Sequence, residues 1–125
     1  MAKKILVIDD ERHIRMLYQE ELQNEGYEVA ESDGQEPICE LIAREKPDLV
    51  ILDIKMEPGI SGLDLLQTLR GPYPALPVLL STAYDSFQYD LKSIAADGYV
   101  VKSVDPTELK DKIAATFKKT MSAGS

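Results

Sequence analysis

Short apolar runs alternate along this chain with stretches in which apolar residues recur at helical spacing. Ile5-Leu6-Val7-Ile8 and Leu49-Val50-Ile51-Leu52 are unbroken apolar runs, as a strand buried on both faces requires. Tyr27 to Ala30, Val78 to Leu80 and Tyr99-Val100-Val101 read as three further strands. Ile14, Leu17, Tyr18 and Leu22 mark a first helix that Gly26 ends. Ile38, Leu41 and Ile42 mark a second, closed by Pro47, and Leu63, Leu66 and Leu69 a third, which Gly71-Pro72-Tyr73-Pro74 terminates. Ser86 to Ala96 is a weaker fourth helix with Phe87, Leu91, Ile94 and Ala95 as its stripe. The last helix has the clearest start: Asp105 at the cap, Pro106 at the first position and Glu108 at the third, before the stripe Leu109, Ile113 and Phe117. Residues 121–125 are small and polar, and are expected to form a short flexible tail beyond a domain of residues 1–120.

Five strand–helix units with apolar strands predict an α/β fold, a doubly wound parallel sheet covered by helices on both faces. The 125 residues make one domain, and 44% hydrophobic residues can fill its core without a disulfide or structural metal. Cys39 is the single cysteine, so no intramolecular disulfide forms, and a reducing compartment is expected. It sits near the apolar stripe of the second helix and reads as a quiet core thiol. The net charge of -8, from 22 acidic and 14 basic residues, speaks against a free-standing nucleic-acid binder and suits a protein that holds cations or meets basic partners. The apolar run after Lys3-Lys4 stops at Asp9, too short for a signal-peptide core, and no run approaches the ~18 residues of a membrane span. A cytoplasmic protein with no membrane partner is expected.

In such a sheet, ligands bind beyond the carboxyl ends of the strands. The residues that follow the five strands are Asp9 and Asp10, then Asp53, then Ser81 and Thr82, then Lys102. The fold alone would therefore gather three carboxylates, a hydroxyl and an ammonium at one edge. Two unit charges 4 Å apart repel by ~4 kcal/mol at an effective dielectric near 20. A hard divalent cation relieves that repulsion, and Mg²⁺ typically takes one or two carboxylates together with water and phosphate oxygens. A carboxylate is also a competent nucleophile towards phosphorus, so the edge suits phosphoryl transfer with Lys102 as a second cation. The plainer reading of Asp9 and Asp10 is helix capping. His13 lies early in the first helix without Cys or His neighbours, and reads as solvated rather than as a zinc ligand.

Taken together, Val7-Ile8-Asp9-Asp10-Glu11, Leu49-Val50-Ile51-Leu52-Asp53, Ser81-Thr82-Ala83 and Gly98-Tyr99-Val100-Val101-Lys102 are specific in order and spacing. On these motifs the chain, from about Lys4 to Lys119, resembles the response-regulator receiver domain of two-component signalling, of the single-domain chemotaxis-regulator kind. The resemblance implies the strand order 2-1-3-4-5 with five helices. It implies Asp53 as the phosphoacceptor, and Asp9, Asp10, Asp53 and the backbone carbonyl of Lys55 as the Mg²⁺ site. Lys102 would pair with the phosphoryl oxygens. The Thr82 hydroxyl would swing towards the phosphoryl group, with Ser81 beside it the competing choice, and Tyr99 would change rotamer in response. Lys55 and Tyr84 fall at variable flanking positions, where they would tune the lifetime of the aspartyl phosphate. The implied partners are a sensor histidine kinase or histidine phosphotransfer protein, and a downstream target bound on the face of the fourth helix, fifth strand and fifth helix. The protein would be a monomer or a phosphorylation-dependent dimer. It would catalyse its own phosphorylation and dephosphorylation without being a turnover enzyme.

Two positions depart from the pattern. Glu57 intervenes between Met56 and Pro58, lengthening the loop after Asp53, and Ser103 stands where a cis-proline usually follows the lysine. A cis bond before a non-proline residue costs ~2.5–4 kcal/mol. These two residues keep open a rival reading, a receiver-like interaction module that works without phosphorylation. A haloacid-dehalogenase-like phosphatase would want a second Asp where Lys55 stands, and an FMN carrier would meet repulsion from Asp9-Asp10-Glu11.

Overall fold

A computed structural model describes residues 2–56, 60–82, 96–102 and 105–124. Five strands form one parallel sheet: β1 (Lys4–Ile8), β2 (Glu28–Ser32), β3 (Leu49–Asp53), β6 (Val78–Thr82) and β7 (Gly98–Val101), in the order β2-β1-β3-β6-β7. Counted as the five main strands, this is the expected order 2-1-3-4-5. Two short strands, β4 (Lys55–Met56) and β5 (Ile60–Ser61), pair antiparallel in a separate ribbon. The described helices are α1 (Arg12–Asn24), α2 (Ile38–Glu45), α3 (Gly62–Arg70) and α4 (Thr107–Gly124). The helix expected over Ser86–Ala96 lies outside the described residues but for Ala96, which packs on the core.

Alternation along the strands divides the core into two layers. Leu6, Ile8, Val50, Leu52, Val78 and Leu80 face α2 and α3. Ile5, Val7, Leu49, Ile51, Leu79 and Val100 face Tyr18 and Leu22 of α1 and Leu109, Ile113 and Phe117 of α4. Every residue of β3 is buried, which is why that strand shows no polar alternation in the sequence.

The main-chain ladders carry three strands past their apolar stretches. β2 runs on through Glu31 and Ser32 because Val7 and Ile8 of β1 pair with them, although Tyr27 to Ala30 is the more hydrophobic segment. Likewise Asp53 closes β3 in register with Ser81 of β6, and Thr82 pairs with Val101. Backbone pairing, not side-chain hydropathy, sets where these strands end, and it draws polar residues into the carboxyl edge. The final helix is described through Gly124, the first helix-breaking residue after Pro106.

Backbone conformation and side-chain hydrogen bonds mark three helix ends. Gly26, with φ 94°, follows the end of α1, and Lys46 takes the left-handed conformation before Pro47. Asp105 Oδ1 accepts hydrogen bonds from the Thr107 amide at 3.0 Å and the Thr107 hydroxyl at 2.6 Å.

Candidate phosphoacceptor site

Asp9 leaves β1 with its amide still bonded to the Ser32 carbonyl at 3.1 Å, so the sheet fixes its backbone. Its Oδ1 accepts the Glu11 amide at 2.9 Å, and Arg15 Nη1 donates to its carbonyl at 2.6 Å. Asp53 is held in the same way: it ends β3, and the next amide, Ile54, donates to the Ser81 carbonyl at 3.0 Å. Asp9 and Asp53 are 1% and 3% exposed, an arrangement that is costly for two carboxylates without compensation.

Part of the compensation comes from Lys102. Its Nζ lies 2.9 Å from Asp9 Oδ2, 3.1 Å from Asp53 Oδ2 and 3.1 Å from Glu11 Oε1. Burial works against the Lys102 ammonium, but Asp9 and Asp53 outweigh it and raise its pKa, so the side chain is charged at every physiological pH. For Asp9, burial is the largest influence and pushes the pKa up, opposed by the Glu11 amide and by Lys102.

Asp10 completes the cluster: one carboxylate oxygen from each of Asp9, Asp10 and Asp53 lies within 4.8 Å of the other two. Three hard oxygen donors at that spacing, two of them buried, are a donor set that fits a small divalent cation such as Mg²⁺.

The family pattern of the response regulator receiver domain matches residues 5–114. The chain belongs to the response-regulator receiver family. This receiver is 36% identical over 124 residues to the alkaline phosphatase synthesis transcriptional regulatory protein PhoP of Bacillus subtilis, covering 96% of the chain and 50% of PhoP. It is 38% identical to the response regulator protein FleR of Pseudomonas aeruginosa, covering 91% of the chain but 24% of FleR. The chain thus spans half or less of these relatives. Among solved structures it is similar to the response regulator protein TrrA of Thermotoga maritima in complex with Mg²⁺-BeF, with 46% identity, a TM-score of 0.83, and coverage of 91% of this chain and 98% of that one. TrrA in complex with the histidine kinase ThkA matches with 45% identity and a TM-score of 0.76, over 91% of this chain and 97% of that one.

Of the residues singled out in the sequence, Asp9, Asp10, Asp53 and Lys102 come together within this receiver. Thr82 ends β6, and Lys55 opens the β4–β5 ribbon directly beyond Asp53 and Ile54. Tyr99, on β7, packs half-buried against the α2/α3 layer, with Lys112 Nζ of α4 lying 5.8 Å from its ring centroid. Tyr84, Glu57 and Ser103 lie outside the described residues. His13 is exposed, with Nε2 3.4 Å from Glu11, as expected of a solvated histidine. Cys39 is half-buried between α2 and α3, with Sγ 4.0 Å from the Thr68 carbonyl.

Two contributors escape the strand-end rule. Glu11 supplies the third carboxylate on Lys102, and its signal was the unbroken acidic triplet Asp9-Asp10-Glu11. Gly62 opens α3 with its amide 2.7 Å from the Ile54 carbonyl, and a Cβ there would overlap the Asp53 carbonyl oxygen. Its signal was a glycine in the first turn of a helix, where no cap or kink requires one.

No described helix is long and apolar enough to cross a membrane.

Proposed function

We propose that this receiver domain accepts a phosphoryl group on Asp53 from a sensor histidine kinase or histidine phosphotransfer protein, in an Mg²⁺-dependent reaction, and signals to a partner protein in the cytoplasm. The observation that supports it best is the buried Asp53 carboxylate, set beside Asp9 and Asp10 and 3.1 Å from Lys102. In the reaction an Asp53 oxygen attacks phosphorus, and the donor's phosphorus–nitrogen or phosphorus–oxygen bond breaks with its electron pair leaving on the donor. Asp9 and Asp10, with Asp53 and the Lys55 carbonyl, would hold Mg²⁺, which when bound neutralises charge on the transferred group. Lys102, charged throughout, exchanges carboxylate contacts for the incoming phosphoryl oxygens. Domains of this kind are not turnover enzymes on other substrates.

For signalling, Thr82 is the hydroxyl drawn towards the phosphoryl group, and Tyr99 the ring that reorients on the face shared by the fourth expected helix, β7 and α4. A shift from 1:99 to 99:1 needs about 5.5 kcal/mol of differential interaction. Hydrogen bonds to a charged group contribute roughly 1.5–3 kcal/mol each, so Thr82 and Lys102 together nearly suffice. Lys55 and Tyr84, which fall at variable flanking positions of the family pattern, would slow its hydrolysis by screening water. Through the switched face the domain binds its target, as a monomer or as a dimer formed on phosphorylation.

The test is intact mass after incubation with acetyl phosphate and Mg²⁺. One added phosphoryl group, lost in Asp53→Asn and without Mg²⁺, is the expected result. No adduct with acetyl phosphate or with a cognate kinase would favour a phosphorylation-independent interaction module.

A further inference from the structure

Ser81 is the polar residue of the site that the phosphoryl-transfer reading leaves without a task. It is 1% exposed, and its Oγ makes no hydrogen bond of ordinary geometry. It stands on β6 as the register partner of Asp53, so the two residues share one rung of the parallel ladder. Alternation from Leu79 places its side chain in the α1/α4 layer, the same layer into which alternation from Ile51 directs Asp53.

Tyr18 reaches this rung from α1. It is 2% exposed, its phenol interacts with the Ser81 hydroxyl, and it lies within the electrostatic reach of Asp9, Asp53 and Lys102. Both hydroxyls are thus neutral polar groups set beside the acidic cluster, on the side of the sheet packed by α1 and α4. A buried hydroxyl retained without a good partner marks either tolerated strain or a bond made in another state of the protein.

We propose that Ser81, positioned by Tyr18, donates its hydroxyl hydrogen to the carboxyl oxygen of Asp53 when the aspartyl phosphate forms and Lys102 turns to the phosphoryl oxygens. This deepens the proposed function and rests on it. During hydrolysis a water oxygen bonds to phosphorus, the phosphorus–oxygen bond to Asp53 breaks, and its electron pair returns to the carboxylate. The products are free Asp53 carboxylate and inorganic phosphate, with the water proton passing to solvent or phosphate. Negative charge grows on the Asp53 oxygen as that bond breaks, so a donor aimed there binds the transition state more strongly than the ester. Ser81 would thus shorten the life of the signal.

The experiment loads the protein with acetyl phosphate and Mg²⁺, removes the donor, and follows loss of the phosphoryl mass. Ser81→Ala is expected to slow hydrolysis roughly three- to tenfold, the rate equivalent of one ordinary hydrogen bond. Phosphorylation is not slowed, because there the full carboxylate charge precedes the transition state. Tyr18→Phe keeps the ring and slows hydrolysis less, about twofold, and adds nothing to Ser81→Ala because it acts through Ser81. Ser81→Thr keeps the hydroxyl and restores the wild-type rate. Hydrolysis unchanged in Ser81→Ala, or equally slow in Ser81→Thr, would overturn the assignment while leaving Asp53 as acceptor. Absence of any adduct on the wild-type protein would instead overturn both readings.

Discussion

Two charge clusters occupy opposite ends of the same strands, and they are built on opposite rules. At the amino end of β6 and β7, Arg70 Nη1 donates to the carbonyls of Leu76 at 2.6 Å and Tyr73 at 3.2 Å, and its Nη2 lies 3.2 Å from Asp97 Oδ2. The same Asp97 oxygen accepts the Val78 amide at 2.8 Å. One cation, one carboxylate and the surrounding main-chain groups are matched. At the carboxyl end, Lys102 faces three carboxylates, Asp9, Asp53 and Glu11, with Asp10 adjoining. Matched charges clip the α3–β6 connection to the start of β7, whereas the excess of carboxylates at the other end favours a cation, as the proposed function requires. Stability and chemistry are thus divided between the two ends of the sheet.

Breaking the matched end should cost most. Arg70→Ala is expected to destabilise the domain by roughly 2–4 kcal/mol, since it strands partly buried carbonyls and leaves Asp97 without its guanidinium. Urea unfolding measures the loss, while Asp53 should still take a phosphoryl group under conditions where the variant is folded. Loss of phosphorylation in the folded variant would show that the two ends are not separable. Next in size is Gly62→Ala. A methyl group there meets the Asp53 carbonyl, and the backbone must move. We expect destabilisation of roughly 1–3 kcal/mol. Unlike Arg70→Ala, it should slow phosphorylation as well, because the displaced backbone carries Asp53, the proposed acceptor. The ratio of acetyl phosphate reactivity to stability separates the two variants.

This division also explains what could be read from the sequence. Asp9, Asp53 and Lys102 were legible because each directly follows an apolar run, and a parallel sheet collects such residues at one edge. The strand order came with the family resemblance, not from hydropathy. The β4–β5 ribbon was not legible, since two-residue strands carry no periodicity. Arg70 and the Tyr18–Ser81 pair were invisible for a different reason. Each acts across tens of residues of chain through a contact that only the packed structure makes, and each sits in a pattern that already had an adequate local explanation. Tyr18 read as one more core position in the stripe of the first helix, which it also is.

A smaller effect, of opposite sign, is expected from relieving the unmatched end. Burial raises the pKa of Asp9 above that of an unfolded aspartate. Such a group contributes stability that is fully present below the unfolded value, ~3.9, and is lost as pH rises through the folded value. Without metal, Asp9→Asn should therefore be more stable than the wild type at neutral pH, by on the order of 1 kcal/mol, with the advantage vanishing in acid. Adding Mg²⁺ should raise the wild-type Tm and leave that of the variant nearly unchanged. Melting curves from pH 3 to 8, with and without Mg²⁺, test both statements. A variant no more stable than the wild type at neutral pH would mean that Lys102 fully offsets the repulsion, and the contrast between the two clusters would fail.

The smallest effect belongs to Asp105, a charge of neither cluster. Hydrogen bonds from the Thr107 hydroxyl and amide hold its carboxyl below the usual range. The sign is therefore the reverse of that at Asp9: its stabilisation is present above the unfolded pKa and disappears as pH falls through the folded one. Asp105→Ala should lower Tm slightly at pH 7 and not at all in strong acid. The informative comparison is with chemistry. Asp105 starts α4 three residues after Lys102, so a loosened helix start could in principle release the lysine. Lys102, however, is anchored at its own tip by Asp9, Asp53 and Glu11, and those contacts do not pass through the cap. Acetyl phosphate reactivity should then be unchanged in Asp105→Ala, and a fall in reactivity would make the start of α4 part of what aims Lys102.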